Sequence, residues 1–124
     1  MFYYILPPLF GLLSVATGAF GAHALEGRIP PQNIEWWQTA SSYLMYHSLA
    51  SLLAMSFQQN LPKIKHCCTL FSVGSLLFCG SLFFMALTNN KSLALLTPLG
   101  GVLYLAGWGY MIWQFLGLRP KKTS

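Results

Sequence analysis

Four long stretches of the chain carry no formal charge, and short polar zones separate them. The uncharged stretches lie near Phe2–Ala22, Gln38–Phe57, Cys67–Leu87 and Ser92–Gly117. The zones between and after them hold Glu26, Arg28 and Glu35, then Lys63 and Lys65, then Lys91, then Arg119, Lys121 and Lys122. A hydrocarbon core of roughly 30 Å needs about 20 helical residues, and each stretch is near that length. One charge at the middle of a span costs on the order of 3 kcal/mol of insertion energy. The spacing avoids that cost four times. The pattern predicts an all-α, integral membrane four-helix bundle forming a single transmembrane domain over 1–124. Its spans are expected at about 2–25, 36–57, 67–87 and 92–117.

The second span is the weakest. It contains Thr39, Ser41, Ser42, Ser48, Ser51 and Ser56, with Tyr43, Tyr46 and His47. Small hydroxyls bond back to their own helix and sit well against neighbouring helices. This helix is therefore expected to be the most protein-enclosed of the four, with a three-span arrangement as the alternative. Prolines set the expected boundaries. Pro7 and Pro8 lack the N–H that a helix interior needs, so the first regular helix should begin there, after an irregular Met1–Leu6. Pro31 suits the opening turn of the second helix. Pro98, inside the fourth stretch, is expected to free the carbonyl of Ala94 and bend the helix.

Composition agrees with a lipid environment. Charged residues make up 7%, against roughly 25% in soluble domains, too few to hydrate a free surface. The net charge of +5 is spread over separate loops and forms no patch for nucleic acid. It reads instead as topology. Lys63, Lys65, Arg119, Lys121 and Lys122 fall on one side of four spans, and Arg28 and Lys91 on the other. Basic short loops stay in the cytoplasm, so both termini are expected there, in a cell membrane and most simply a bacterial inner membrane. A C-terminal reporter active only outside the cytoplasm would contradict this. Ala22-His23-Ala24 resembles a signal-peptidase site, but the preceding apolar run is too long for a signal core and has no basic lead, so cleavage is not expected.

Small residues mark packing faces. Gly11, Ser14, Gly18 and Ala22 share one face of the first helix, and Gly74 with Ser81, and Gly100 with Gly107, are spaced seven apart. Close backbone approach is expected at Gly11, Gly18, Gly21, Gly74, Gly80 and Gly107. His23 and His47 are the histidines in or beside the spans. A shared haem or metal site would need them at one depth. His23 lies at the outer end, whereas His47 lies about 15 Å beyond Trp37, level with Ser14 or Thr17. No cofactor and no metal are expected. His47 reads as a neutral core histidine or, because intramembrane ionisable groups are costly, as a functional residue, with Tyr43 one turn away. The three cysteines have no ligand spacing and read as packing residues. No catalytic constellation occurs, so an enzyme is not expected.

Several stretches together resemble a known family. They are Gly18-Ala19-Phe20-Gly21-Ala22-His23, Tyr43-Leu44-Met45-Tyr46-His47, Phe78-Cys79-Gly80-Ser81-Leu82, Thr97-Pro98-Leu99-Gly100-Gly101 and Gly107-Trp108. The chain resembles the small membrane proteins grouped with bacterial YgdD and human transmembrane protein 256, from about Leu12 to Trp113. The resemblance implies four membrane helices and no assigned activity. Cys79 stands where the family commonly has Ser, and Phe83 where it commonly has Tyr, which weakens any hydroxyl-based role there. Two functional readings follow. One is a non-enzymatic component that packs, scaffolds or binds lipid or a partner, with a homo-oligomer or another membrane protein as candidate partners. The other is a small permease or proton-linked carrier using a polar track His23–Tyr43–His47 beside a Thr97-Pro98-Gly100-Gly101 bend.

Overall fold

The computed structural model describes residues 2–118, and the basic cluster Arg119, Lys121 and Lys122 lies outside them. The described chain is helical, with no strands among these residues. Helix α1 (Phe2–Val15) continues through a π-helical stretch (Ala16–Gly21) into the short α2 (Ala22–Leu25), making one rod. Helices α3 (Pro31–Ser56), α4 (Lys65–Thr88) and α5 (Leu96–Leu116) follow. The short connections make successive long helices antiparallel neighbours. The first rod packs on α3, α3 on α4, and α4 on α5. Segments Tyr3–Leu25, Pro62–Thr88 and Lys91–Leu116 are long and apolar enough to cross a membrane. Helix α3 has 26 residues, about 39 Å at helical rise, and so has the length but not the apolar composition.

Turn chemistry fixes the ends. Gly27 takes φ +79° just after α2, and Pro31 opens α3. Asn89 adopts a left-handed conformation at φ +56° to close α4, a role asparagine tolerates well. Buried Asn33 donates from Nδ2 to the Ala86 carbonyl and to Asn89 Oδ1, both at 3.2 Å. It ties the start of α3 to the end of α4.

Helices α4 and α5 meet backbone to backbone. A Cβ on Gly100 would stand 2.5 Å from Phe78 N and 2.8 Å from the Gly74 carbonyl. One turn-pair further in, the Phe71 ring covers Gly107, leaving 2.5 Å for a Cβ. The small face of α1 turns to α3: a Cβ on Gly11 would be 3.1 Å from Ser48 Oγ, and one on Gly18 3.5 Å from Ser41 Cβ. Ser14 Oγ donates to the Ser41 carbonyl at 2.6 Å. Gly80 has nothing within 4 Å of its Cβ position, so it is not a packing glycine and faces outward.

Five expectations about local structure change. The chain is helical from Phe2, with Pro7 and Pro8 inside α1. The two missing ladder bonds are offset by tertiary anchors on the preceding turn: Tyr3 Oη bonds Cys68 Sγ (3.5 Å) and Tyr4 Oη bonds Gln58 Oε1 (3.4 Å). Pro98 bends nothing, because α5 starts only at Leu96 and its missing N–H falls in a first turn, where no intrahelical partner exists. The most enclosed helix is α4, with ten of 24 residues buried against nine of 26 in α3. Helix α3 buries Ser41, Ser48 and Ser51 but exposes Gln38, Thr39 and Ser42. His66 joins the spanning histidines, in the first turn of α4. Finally, Ser48 Oγ bonds the Pro7 carbonyl, and Ser41 lies beside Ser14 and Thr17. That register sets His47 level with Pro7–Gly11, not with Ser14 or Thr17.

Candidate functional site

Three depressions on the described surface lie along α3. The first, beside the start of α3, is a groove of about 610 Å³ lined by Gly18, His23, Glu26, Gly27, Ile29, Pro31, Ile34 and Gln38. Gly18 brings the π-helical stretch to its edge. The sequence Ala-Thr-Gly-Ala-Phe-Gly lets the ladder slip there, and π turns of this kind are frequent at functional sites. Trp37 fixes it. Its indole Nε1 donates to the Thr17 carbonyl at 2.7 Å, and its ring lies so close to Gly21 that a Cβ would be 2.7 Å from Cζ2. The ring also meets Phe83 edge-on at 4.6 Å. Trp37 is therefore a half-buried clamp between α3 and the first rod, not a free boundary anchor.

The second depression is shallow and polar, lined by Glu35, Gln38, Thr39, Ser42, Tyr43 and Tyr46. The third, about 550 Å³, opens between α3 and α5 and is lined by Tyr43, Tyr46, His47, Phe78, Gly101, Tyr104, Leu105 and Trp108. Gln38 belongs to the first and second; Tyr43 and Tyr46 belong to the second and third. The three adjoin at these shared residues and so form a row, or track, along α3. From Ile34 to His47 it descends about 20 Å at helical rise.

At the deep end, His47 is 5% exposed and fully bonded. Trp108 Nε1 donates to its Nε2 at 3.0 Å. An indole nitrogen only donates, so Nε2 must accept, and the proton sits on Nδ1. Nδ1 lies 2.8 Å from the Tyr43 carbonyl and donates to it. The imidazole is thus neutral, and its ring stacks on Tyr104 at 3.5 Å and 6°. Tyr104 Oη in turn meets Ser75 Oγ (2.8 Å) and Cys79 Sγ (3.4 Å) of α4. This closed network joins α3, α4 and α5. Among the described residues, no buried side-chain nitrogen or oxygen lacks a partner, and no three His, Cys, Asp or Glu side chains gather as metal ligands would.

A family model described as "Protein of unknown function (DUF423)" matches residues 17–101. The chain belongs to this family. The matched interval holds the π stretch from Thr17, all of α3 and α4, and the glycine pair of α5. Similar proteins include the UPF0382 inner membrane protein YgdD of Escherichia coli (strain K12), 37% identical over 125 positions that cover 99% of this chain and 95% of that one. The UPF0382 membrane protein YwdK of Bacillus subtilis (strain 168) is 38% identical, covering 86% and 89%. A UPF0382 membrane protein of Staphylococcus epidermidis is also 38% identical, covering 86% and 88%. No solved structure matches. The chain is an integral membrane protein of a family whose activity is unassigned.

The residues singled out in the sequence divide between places. His23 lines the outer groove, and Tyr43, His47 and Gly101 line the deep one. Thr97 Oγ1 is turned to Ser81 Oγ of α4, Gly100 is buried against α4, and Pro98 is exposed. Thr97, Pro98 and Gly100 therefore do not converge with His47. Trp37, Tyr46, Tyr104 and Trp108 are not singled out as site residues by the sequence. Tyr104 and Trp108, four apart on α5, carried a signal: an aromatic pair at one helix turn. Such pairs face lipid as often as they line a groove, so spacing alone does not mark them.

Proposed function

We propose that this protein is a non-catalytic membrane component that binds an amphiphilic membrane molecule along the outward face of α3. The observation that carries this is the row of three depressions that share Gln38 and the tyrosine pair. Its upper end offers a carboxylate, an amide and an imidazole at the outer boundary; its lower end offers rings. That gradient matches a molecule with a polar head and an apolar body. The track lies on the surface of the bundle, open sideways to lipid, which favours binding over a carrier pathway enclosed between helices. His47, with both nitrogens bonded, has no lone pair or proton to spare for a relay. An inner-membrane location with both termini in the cytoplasm belongs to the same reading, supported by the basic second loop and by the naming of the E. coli relative.

Gly101 supplies the test. Nothing lies within 4 Å of its Cβ position, and Gly101 lines the deep groove, so the ring of Gly101→Phe has room to start from the helix and is expected to occupy the groove. Protein extracted in mild detergent should retain a bound amphiphile in native mass spectrometry. Gly101→Phe should lower that occupancy about tenfold, equivalent to ~1.4 kcal/mol of binding, with unchanged thermal stability. Equal occupancy in the two proteins, or none in either, would refute the reading.

A further inference from the structure

The deep end of the track has chemistry that an ordinary phospholipid does not satisfy. Six of its eight lining residues carry rings: Tyr43, Tyr46, His47, Phe78, Tyr104 and Trp108. Tyr43, His47 and Tyr104 form a loose pile, with Phe78 beside Tyr43, while Tyr46 and Trp108 are steeply inclined to it. His47 and Tyr104 are 6° apart, Tyr43 and Phe78 27° apart at 4.8 Å, and Tyr43 and His47 25° apart at 6.1 Å. Aromatic surfaces of this kind favour offset stacking of another flat ring. The groove opens to lipid beside Leu105, 73% exposed, and Tyr46, 56% exposed.

Hydroxyl accounting is the second observation. Tyr3, Tyr4, Tyr104 and Tyr110 all use their hydroxyls in hydrogen bonds. Among the described residues, Tyr43 and Tyr46 do not. Tyr46 lies eleven residues beyond Glu35, the last charge on α3, or about 17 Å deeper at helical rise. In a bilayer whose boundary lies near Glu35 that depth is hydrocarbon, where a hydroxyl without a partner costs on the order of 1–3 kcal/mol. The polar atoms of His47 and Trp108 are taken up by each other and by the Tyr43 carbonyl, which leaves the two phenols as the uncommitted donors among the groove's lining residues. Phospholipid ester carbonyls sit at the membrane boundary, too high to accept from them.

We infer that the deep groove binds a membrane quinone: a flat conjugated ring bearing carbonyl acceptors, carried on an apolar tail. The ring enters the groove against the exposed edge of the pile at Tyr43, its carbonyls accept from Tyr43 and Tyr46, and the tail leaves past Leu105 into lipid. The inference concerns binding alone; no bond or electron changes hands. It rests on the amphiphile-binding reading and narrows its ligand.

The experiment uses the full chain in phosphatidylcholine nanodiscs with decylubiquinone as probe. The part of the tryptophan fluorescence lost in Trp108→Phe reports on the groove. That part should be quenched saturably as quinone is added. Tyr43→Phe with Tyr46→Phe, which removes only two exposed hydroxyls, should raise the half-saturating quinone about tenfold or more, the loss of two modest hydrogen bonds. Gly101→Phe should abolish saturation. Linear quenching, identical in all three proteins, would overturn the inference. If quenching is linear while a native amphiphile is still retained and lost in Gly101→Phe, the quinone assignment falls and the broader reading stands. If neither binds, both fall.

Discussion

Gly100→Val should destabilise the protein by roughly 3 kcal/mol, the upper end of ordinary overpacking penalties. The first atom of the new side chain would meet Phe78 N at 2.5 Å and the Gly74 carbonyl at 2.8 Å. Those are main-chain atoms and cannot rotate away. Relief requires α4 and α5 to separate, which also pulls apart Phe71 from Gly107 and Ser81 from Thr97. In a bilayer no water-driven force closes the gap, because helices there are held by packing and hydrogen bonds. Gly101→Ala, at the next position, should be neutral or stabilising by up to about 1 kcal/mol, since it has open space and improves helix propensity. Reversible unfolding in mixed micelles measures both. Similar losses for the two variants would mean that the helix contact is not where it is described.

His47→Ala is the second large effect, with an expected loss of about 3 kcal/mol, as for other buried aromatic truncations. Three things vanish together: the ring stacked on Tyr104, the bond from Trp108 and the bond to the Tyr43 carbonyl. Trp108→Phe removes only one of these and should cost about 1 kcal/mol, in line with hydrogen bonds between membrane helices. The double variant should then lose less than the sum, by about 1 kcal/mol, because the shared bond is counted once. Additive losses would show that the indole–imidazole bond contributes nothing. A merely lipid-facing histidine would tolerate alanine, so the first measurement alone separates the alternatives.

The architecture was legible because charge is expensive in hydrocarbon: four uncharged runs, bounded by Glu26, Lys63 and Lys91, became the four long helices. The small face of α1 was legible for a similar reason, and Gly11, Ser14 and Gly18 do turn to α3. Three features were hidden by interactions that no local pattern records. Pro7 and Pro8 sit inside a helix because Tyr3 and Tyr4 are tied to distant residues. His47 lies about two turns from the level expected of it, because Trp37 packs on Thr17 and Gly21 and not on the end of the first rod, which sets the register of α1 against α3. The serine-rich second helix reads as the most enclosed of the four, but its polar residues divide: Ser41, Ser48 and Ser51 are inside, whereas Gln38, Thr39, Ser42 and Ser56 are exposed. Candidate-site residues followed the same rule. His23, Tyr43 and His47 stood out as polar groups in apolar surroundings, while Tyr46, Tyr104 and Trp108 looked like ordinary membrane aromatics until α3 and α5 were brought side by side.

The two-sided polarity of α3 also bears on how the protein is made. This helix emerges from the ribosome before α4 and α5 exist, with its serines still lacking most of their partners and Trp108 not yet available to His47. On its own it is a poor substrate for lateral release into lipid. The first rod, already synthesised, can shelter one flank through Gly11, Ser14 and Gly18. The other flank must wait for the α4 hairpin, so the second and third helices are expected to enter the bilayer as a pair. Glycosylation mapping of chains ending after Ser56 should find α3 largely unintegrated, and full integration of such chains would argue against paired entry.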